Sequence, residues 1–495
     1  MSPILTLYLP LLAPLAAAGA AAALGRRVAA WIGLAAAAAI LAAGGALAAT
    51  VTDAQPVTAG LLRADALTAF MLIVIGAVAT VACWASVHHL ADEATTGSGN
   101  PATERRYLIL VQLFLAAMSL AVLADNLGLL WVAVEGTTIV TAFLVGHRRT
   151  RASVEAAWKY VVLCSVGIGI AFLGTVCVYA ASVAAGAHGT AALNWTHLAA
   201  HTASLDPDLT RLAAGLILLG FGTKAGLAPM HAWLPDAHSQ APAPVSALMS
   251  GVLLSVAFYA ILRYKTITDA VLGPTYARAL LLVAALASLA VAALLLISQR
   301  DYKRMLAYSS IEHMGLVALG TAIGSRLAIT AVLLHILGHG LGKAVAFCGA
   351  GQLLTTTGST RIAAVRGLAG RHPALAGSLG LALLALLGLP PFSLFASELG
   401  IARAGLAAGH GWAIAVAFAL VLISFAALAR HGAGMLLGPP DPAPPADPPH
   451  PTVLPRSTAI LPLTLGLAAA AALGITLGPL QELLHAATTT VMGGR

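Results

Sequence analysis

Charge is scarce in this sequence. Asp, Glu, Lys and Arg make up 9 % of its 495 residues, against about 25 % in an ordinary soluble domain. Too little charge remains to cover an aqueous surface, and with 59 % hydrophobic residues the chain reads as an integral membrane protein. Cysteine is nearly missing too. Cys83, Cys164, Cys177 and Cys348 all sit in apolar runs and none forms a CxxC pair, which argues against iron–sulfur or zinc ligation and for small buried hydrophobes. No Gly-rich strand–helix fingerprint for a nucleotide or flavin occurs, so no cofactor of its own is expected. The formal charge of +8 does not point to nucleic acid, because the arginines fall in short connections between apolar runs and read as topology signals.

Lysine is the rarest basic choice. Only Lys159, Lys224, Lys265, Lys303 and Lys343 occur among the 26 basic residues. Arginine stands almost wherever a fixed positive charge suffices, and lysine, unlike arginine, can lose its proton when buried.

Apolar runs bounded by charge, Pro or Gly predict an all-α polytopic protein of about fourteen transmembrane helices. They start near Pro3, Val28, Asp65, Tyr107, Leu127, Ala156, Leu209, Pro244, Thr275, Lys303, Leu327, Pro373, Gly411 and Ala459. The first, Pro3 to Leu24, is long enough to span and reads as a helix rather than a cleaved signal. The longest polar breaks are Ala91 to Arg106 and the proline-rich Gly438 to Pro451, a stiff linker. Odd-numbered connections hold Arg26, Arg27, Arg105, Arg106, Arg148, Arg149, Arg151, Lys303, Arg304, Arg361, Arg366 and Arg371. Even ones hold fewer: Arg63, Arg211, Arg263, Lys265 and Arg326. The positive-inside rule then puts both termini outside the cell membrane.

Two runs are interrupted. The seventh breaks at Gly226-Leu227-Ala228-Pro229 and the twelfth at Gly388-Leu389-Pro390-Pro391. Five segments separate them, so five-helix units built around each are inverted relative to one another, and paired breaks of this kind point to an ion site near the midplane. The division expected is residues 1–106 (helices 1–3), 107–265 (first repeat, helices 4–8), 266–437 (second repeat, helices 9–13), a linker at 438–456 and a last helix at 457–495.

A charge at the bilayer centre costs at least about 2.5–3.5 kcal/mol. Glu135 in LLWVAVEGTTIV, Lys224 beside the first break and Glu398 just beyond the second are such charges. They suggest a proton relay, with Glu135 pairing with Lys224; a static ion pair is the alternative, though a weak source of stability. Between the breaks lie Glu312 and His313 in AYSSIEHMG, and His335, His339 and Lys343 in LLHILGHGLGKAVAF, spaced by four and so on one helix face. Lys343 on that face argues against a metal at His335 and His339. His231 and His238 flank Trp-Leu-Pro in a helix-end loop, where capping and transport are equally good readings.

The run K-x-x-x-x-P-x-H-x-W-L-P-D-A-H-S-Q-A-P from Lys224 to Pro242, with KRMLAYSSIEHMG, HGLGKAVAF and GLPPFSLFASE, resembles the antiporter-like membrane subunits of respiratory complex I, group 4 membrane-bound hydrogenases and Mrp-type sodium/proton antiporters. It is most similar to the hydrogenase-4 and formate hydrogenlyase branch, near the component F type. The resemblance implies that Glu135 and Lys224 are the helix-five and helix-seven pair and that Glu398 is the helix-twelve terminal residue. It implies too that His313, His339 and Lys343 belong to the axis joining two half-channels. Pro235, Asp236 and His238 keep the family loop. Ser255 stands where many relatives carry a helix-eight lysine or histidine, which interrupts a lysine-to-lysine relay. No long lateral helix follows the last segment, as in the shorter family members.

The resulting expectation is a proton-conducting subunit without a redox site of its own. Its partners are other membrane subunits and a peripheral iron–sulfur/nickel–iron or quinone-reducing arm. A secondary Na+/H+ antiporter and a lapsed structural anchor are the rivals.

Overall fold

Side-chain caps mark where many of the apolar runs begin. Ser2, Asn100, Asn126, Thr150, Asp206, Asp301 and Ser325 each accept a hydrogen bond from the first turn of the helix that follows, satisfying amide groups that have no intrahelical partner. The computed structural model describes residues 2–52, 55–95, 100–439 and 457–493. Helices α1 (Pro3–Ala23) and α2 (Arg26–Val51) precede an antiparallel hairpin of β1 (Val57–Ala59) and β2 (Leu62–Ala64). There follow α3 (Ala66–Thr95), α4 (Pro101–Leu123), α5 (Leu127–Val145), α6 (Arg151–Ala184) and α7 (Trp195–Ala200). Next come α8 (Pro207–Lys224), α9 (Trp233–Gln240), α10 (Ala243–Leu248), α11 (Leu254–Leu272), α12 (Pro274–Leu296), α13 (Tyr302–Ile323) and α14 (Arg326–Thr357). The remaining described helices are α15 (Leu368–Arg371), α16 (Pro373–Leu386), α17 (Ser393–Ala407), α18 (Gly411–Leu437), α19 (Ser457–Ile475) and α20 (Leu480–Val491).

Among the described residues, ten helices are long and apolar enough to cross a membrane, and α19 and α20, bent by 76° relative to each other, reach that length and hydropathy only when taken together. The segments outside this count are those that are broken or polar. They are α8 with α9, α16 with α17, and α13, which carries Lys303, Arg304, Glu312 and His313. The molecule is thus a multi-pass membrane protein.

Burial is graded from centre to rim. Ala243–Leu272 and α14 are buried over their whole spanning window, whereas α6, α12 and α18 bury 39 %, 39 % and 33 % of theirs. The rim helices instead expose large apolar side chains such as Phe143, Trp158, Phe172, Leu294 and Leu422, as lipid contact requires. The centre is drawn tight by glycine. A Cβ on Gly251 would come within 2.8 Å of the Gly340 carbonyl, so the backbones of the Ala243–Leu272 segment and α14 touch there.

Several expectations change. The polar stretch from Ala91 to Arg106 is helical at both ends, because α3 runs to Thr95 and Asn100 starts α4 by accepting from the Ala102 amide at 2.9 Å. The last segment is two helices, with Gly478 at φ 47° and Pro479 at the bend. Arg263 and Lys265 belong to α11 rather than to a connection. Lys303, also counted with a connection, is buried in α13 and donates to the carbonyls of Ser239 (3.2 Å) and Ala241 (2.7 Å). The proline-rich linker expected at 438–456 lies, from residue 440 on, outside the described residues.

Candidate functional site

Two helix breaks of the same design frame the site. At the first, Gly226 (φ 77°) receives the end of α8, and the Leu227 amide reaches back to the Gly222 carbonyl at 2.9 Å. At the second, Gly388 (φ 63°) does the same for α16, and the Leu389 amide bonds the Leu384 carbonyl at 3.2 Å. This is a Schellman closure, which uses the left-handed backbone that glycine tolerates. Pro229 and Pro391 follow three residues after each glycine, both in cis peptides, and Pro390 precedes the second of them.

Lys224 is the last residue of α8 and wholly buried. Its Nζ donates to the Tyr160 hydroxyl at 2.5 Å and lies 4.6 Å from the centre of that ring. The Tyr160 hydroxyl also meets Thr141 Oγ1 at 2.5 Å, and Trp233 packs edge-on against the ring at 5.0 Å. Glu135 is half-buried on α5. It accepts from Thr138 Oγ1 at 2.9 Å and from Ser165 Oγ at 3.2 Å. The direct Glu135–Lys224 pair expected from sequence is therefore not formed: each charge is held by hydroxyls, and Tyr160, a neutral residue that no motif marks, takes the lysine.

Ser255 is fully buried in α11, and its Oγ bonds no protein group. Just before it the backbone relaxes into a π-turn at Met249–Leu253, an irregularity often seen at functional sites. Ser250 Oγ on that turn lies 2.7 Å from Ser310 Oγ of α13. Nothing in MSGVL marks the π-turn in advance.

The central cluster sits between α13, α14 and α17. His313 Nδ1 and His335 Nε2 are 3.1 Å apart, and His335 Nδ1 meets Ser397 Oγ at 2.9 Å. The His339 ring lies 5.1 Å from that of His313, and neither of its nitrogens bonds a protein group. Lys343 Nζ donates to the Leu306 carbonyl at 2.8 Å and to Ser309 Oγ. Glu312 is buried on α13. The carboxylate of Glu398 lies over the second break, where a Cβ on Gly388 would meet its Oε2 at 2.4 Å. One ligand atom each from His313, His335 and Glu398 falls within 4.8 Å of the others. His335 is thus partnered by His313 rather than by His339, four residues along its own helix. The hydrogen bond between the two imidazoles needs a proton where a metal would need both lone pairs.

The WLPDAH stretch is α9. Asp236 pairs with Lys159 of α6 at 3.2 Å and with Arg304 of α13, so it ties three helices together at the surface. His238 is buried and stacked on Phe347 at 5.0 Å, with no protein partner on either nitrogen. His231 is partly exposed in the turn before α9. Of the loop residues, Asp236 is structural, and His238 is the one that shares the interior.

A family profile described as "NADH:quinone oxidoreductase/Mrp antiporter, TM" matches residues 124–424, more than half of the chain. The chain belongs to this family. The matched region of this antiporter-family chain contains every residue of the site just described and leaves out α1–α4, α19 and α20. It is 43 % identical over 63 % of its length to a hydrogenase-4 component F homolog of Methylacidiphilum infernorum, covering 66 % of that protein. It is 35 % identical over 56 % of its length to NADH-quinone oxidoreductase subunit N of Desulforudis audaxviator, covering 54 % of that protein. The chain thus spans between about half and two thirds of the length of these two curated relatives. In fold it is similar to a chain of the Mrp complex from Dietzia sp. DQ12-45-1b, with a TM-score of 0.84 over 99 % of this chain and 98 % of that one at 24 % identity.

Proposed function

We propose that this chain is a proton-translocating, antiporter-like subunit of a redox-driven complex in the cell membrane, of the hydrogenase-4/formate hydrogenlyase or NADH dehydrogenase type. The observation that carries the reading is the pair of broken spans, each bearing an ionisable side chain, buried Lys224 and half-buried Glu398, on either side of buried His313, His335, His339 and Lys343. A charge at that depth is expensive, and one helix break exposes just the backbone that lines ion paths. The proton-path residues are Glu135, Lys224, Ser255, Glu312, His313, His335, His339, Lys343 and Glu398, with His238 beside them. Tyr160 joins this set because it holds Lys224.

In this reading the chain makes fourteen crossings with both termini outside. Spans 4–8 and 9–13 are inverted repeats over residues 107–265 and 266–437, after an N-terminal unit at 1–106 and before a last span at 457–495. One fact supports the division: the matching closures at Gly226 and Gly388. Ser255, in place of a charge, makes the passage between the halves depend on hydration of its hydroxyl, since serine holds no charge at neutral pH.

The proposal is tested by tagging the protein, extracting it in mild detergent and identifying its companions by mass spectrometry. A nickel–iron or quinone-reducing large subunit with iron–sulfur partners is the expected result. Recovery alone, or only with other antiporter-like subunits, together with sodium-dependent proton flux in vesicles, would replace this reading with a secondary Na+/H+ antiporter.

Tyr160→Phe tests the site within the assembled complex. It removes the hydroxyl that accepts from Lys224 while keeping the ring that packs on Trp233. A hydrogen bond to a charged group contributes about 1.5–3 kcal/mol, so proton transport should slow by roughly tenfold to a hundredfold, with assembly unchanged. Wild-type flux in the assembled variant would remove Tyr160 from the path.

A further inference from the structure

One hydroxyl ends the histidine contact between α13 and α14. Ser397, fully buried in α17, donates its Oγ hydrogen to the Leu394 carbonyl one turn back at 2.8 Å, and the same oxygen lies 2.9 Å from His335 Nδ1. Two glycines let the helices come this close. A Cβ on Gly338 of α14 would meet Ser393 Oγ at 2.5 Å, and one on Gly400 of α17 would meet the Ala331 side chain at 2.8 Å, so small residues bracket the His335–Ser397 contact on both sides. A serine that served only its own helix would need the Leu394 carbonyl and no ring.

Counting hydrogens fixes the two imidazoles. A serine hydroxyl carries one, and a neutral imidazole carries one on nitrogen. With the serine hydrogen on the Leu394 carbonyl, Ser397 Oγ accepts from His335 Nδ1–H; His335 Nε2 is then a bare lone pair, and the contact at 3.1 Å is made by His313 Nδ1–H. All three contacts are satisfied, and the atom left over is His313 Nε2, an acceptor that bonds no protein group. The reverse assignment turns the serine away from Leu394 and puts a buried hydrogen on His313 Nε2, which the Leu386 carbonyl faces outside hydrogen-bond geometry. It makes two bonds where the first makes three, and a buried donor left without an acceptor costs about 1–3 kcal/mol.

We infer that Ser397 is a positioning residue of the proton path: through its bond to His335 Nδ1 it holds both rings in the tautomer that passes a proton from α13 to α14. The inference rests on the proton-path reading proposed above. A proton taken up at His313 Nε2 releases the hydrogen on Nδ1, which passes to His335 Nε2; His313 ends neutral and His335 ends as the imidazolium. Ser397 is unchanged and keeps His335 Nδ1–H. The Glu398 carboxylate, with one ligand atom within 4.8 Å of one on each ring, is the counter-charge. Which nitrogen of a histidine carries the hydrogen is set by the bond that the other makes, and among the described residues Ser397 is the one partner of His335 Nδ1.

The test pairs transport with tautomer. In the complete complex reconstituted in vesicles, Ser397→Ala should slow proton transport by about tenfold, the reach of one hydrogen bond, and Ser397→Thr, which keeps the hydroxyl, should restore most of it. Nitrogen-15 NMR of histidine-labelled protein, with the two rings identified by subtracting spectra of His313→Gln and His335→Gln, should place the hydrogen on Nδ1 of both in wild type. In Ser397→Ala it should move to Nε2 of His335, a change that a purely structural serine would not produce. Wild-type transport by assembled Ser397→Ala overturns the inference; if Lys224→Ala still stops transport in the same vesicles, the proton-path reading stands without it, and if Lys224→Ala transports normally both fall. Equal loss in the Ala and Thr variants with both tautomers unchanged overturns it in favour of packing. If Ser397→Ala does not assemble, the wild-type spectrum decides: Nδ1–H on both rings supports the inference, and Nε2–H on either overturns it.

Discussion

Lys224→Ala should abolish proton transport while leaving the protein folded and assembled, and the geometry accounts for both halves of that result. Removing the side chain deletes the one buried ammonium at the end of α8, and with it the only donor bond that the structure gives Nζ, to Tyr160. Nothing ionised is orphaned. Tyr160 keeps Thr141, and Glu135 keeps Thr138 and Ser165. A buried pair that loses one partner is costly because the other charge stays behind; here the expected partner is held independently, so that penalty is absent.

Lys224→Arg separates a relay from a static charge. Arginine keeps the charge but does not release a proton in proteins, so a relay should stop with either substitution, whereas a purely electrostatic role should survive the change. The measurement is acidification by the reconstituted complex, read with a pH-sensitive dye beside a gel of the assembled subunits. Normal acidification by assembled Lys224→Ala would sink the relay.

What could be read from sequence divides by range. The breaks at Gly226 and Gly388 were legible because glycine and proline act on their own backbone. The starts of α1, α5 and α8 were legible to within two residues because the apolar runs they open are long and bounded by charge, Pro or Gly. Contacts between distant segments were not. Arg263 looks like the charged border of an apolar run. It lies inside α11 because Asp65, 198 residues earlier, meets it there. Tyr160 carries no formal charge, so no cost flagged it. The His335–His313 contact joins α14 to α13, whereas the spacing of four shows only that His335, His339 and Lys343 share one face of the same helix.

Asp65→Ala should be the substitution that most damages stability, by about 3–5 kcal/mol. Asp65 does two things at once. Its Oδ1 accepts from the Thr68 amide at 2.9 Å, capping α3, and its two oxygens take Arg263 Nη1 at 2.7 Å and Nη2 at 2.8 Å. Both side chains are 5 % exposed. Arg63 adds a second contact to Oδ2 at 2.6 Å, and the guanidinium groups of Arg63 and Arg263 lie 5.0 and 4.6 Å from the Trp195 ring. Without the carboxylate, Arg263 keeps only neutral acceptors, Tyr259 and Thr68, and two cations share a buried site. Unfolding of the detergent-solubilised protein, followed by heat or denaturant, gives the comparison. Asp65→Leu combined with Arg263→Met should be markedly more stable than Asp65→Ala, because a buried pair replaced on both sides leaves no stranded charge. An Asp65→Ala protein as stable as wild type would mean that the pair is solvated in the membrane and does not fasten α3 to α11.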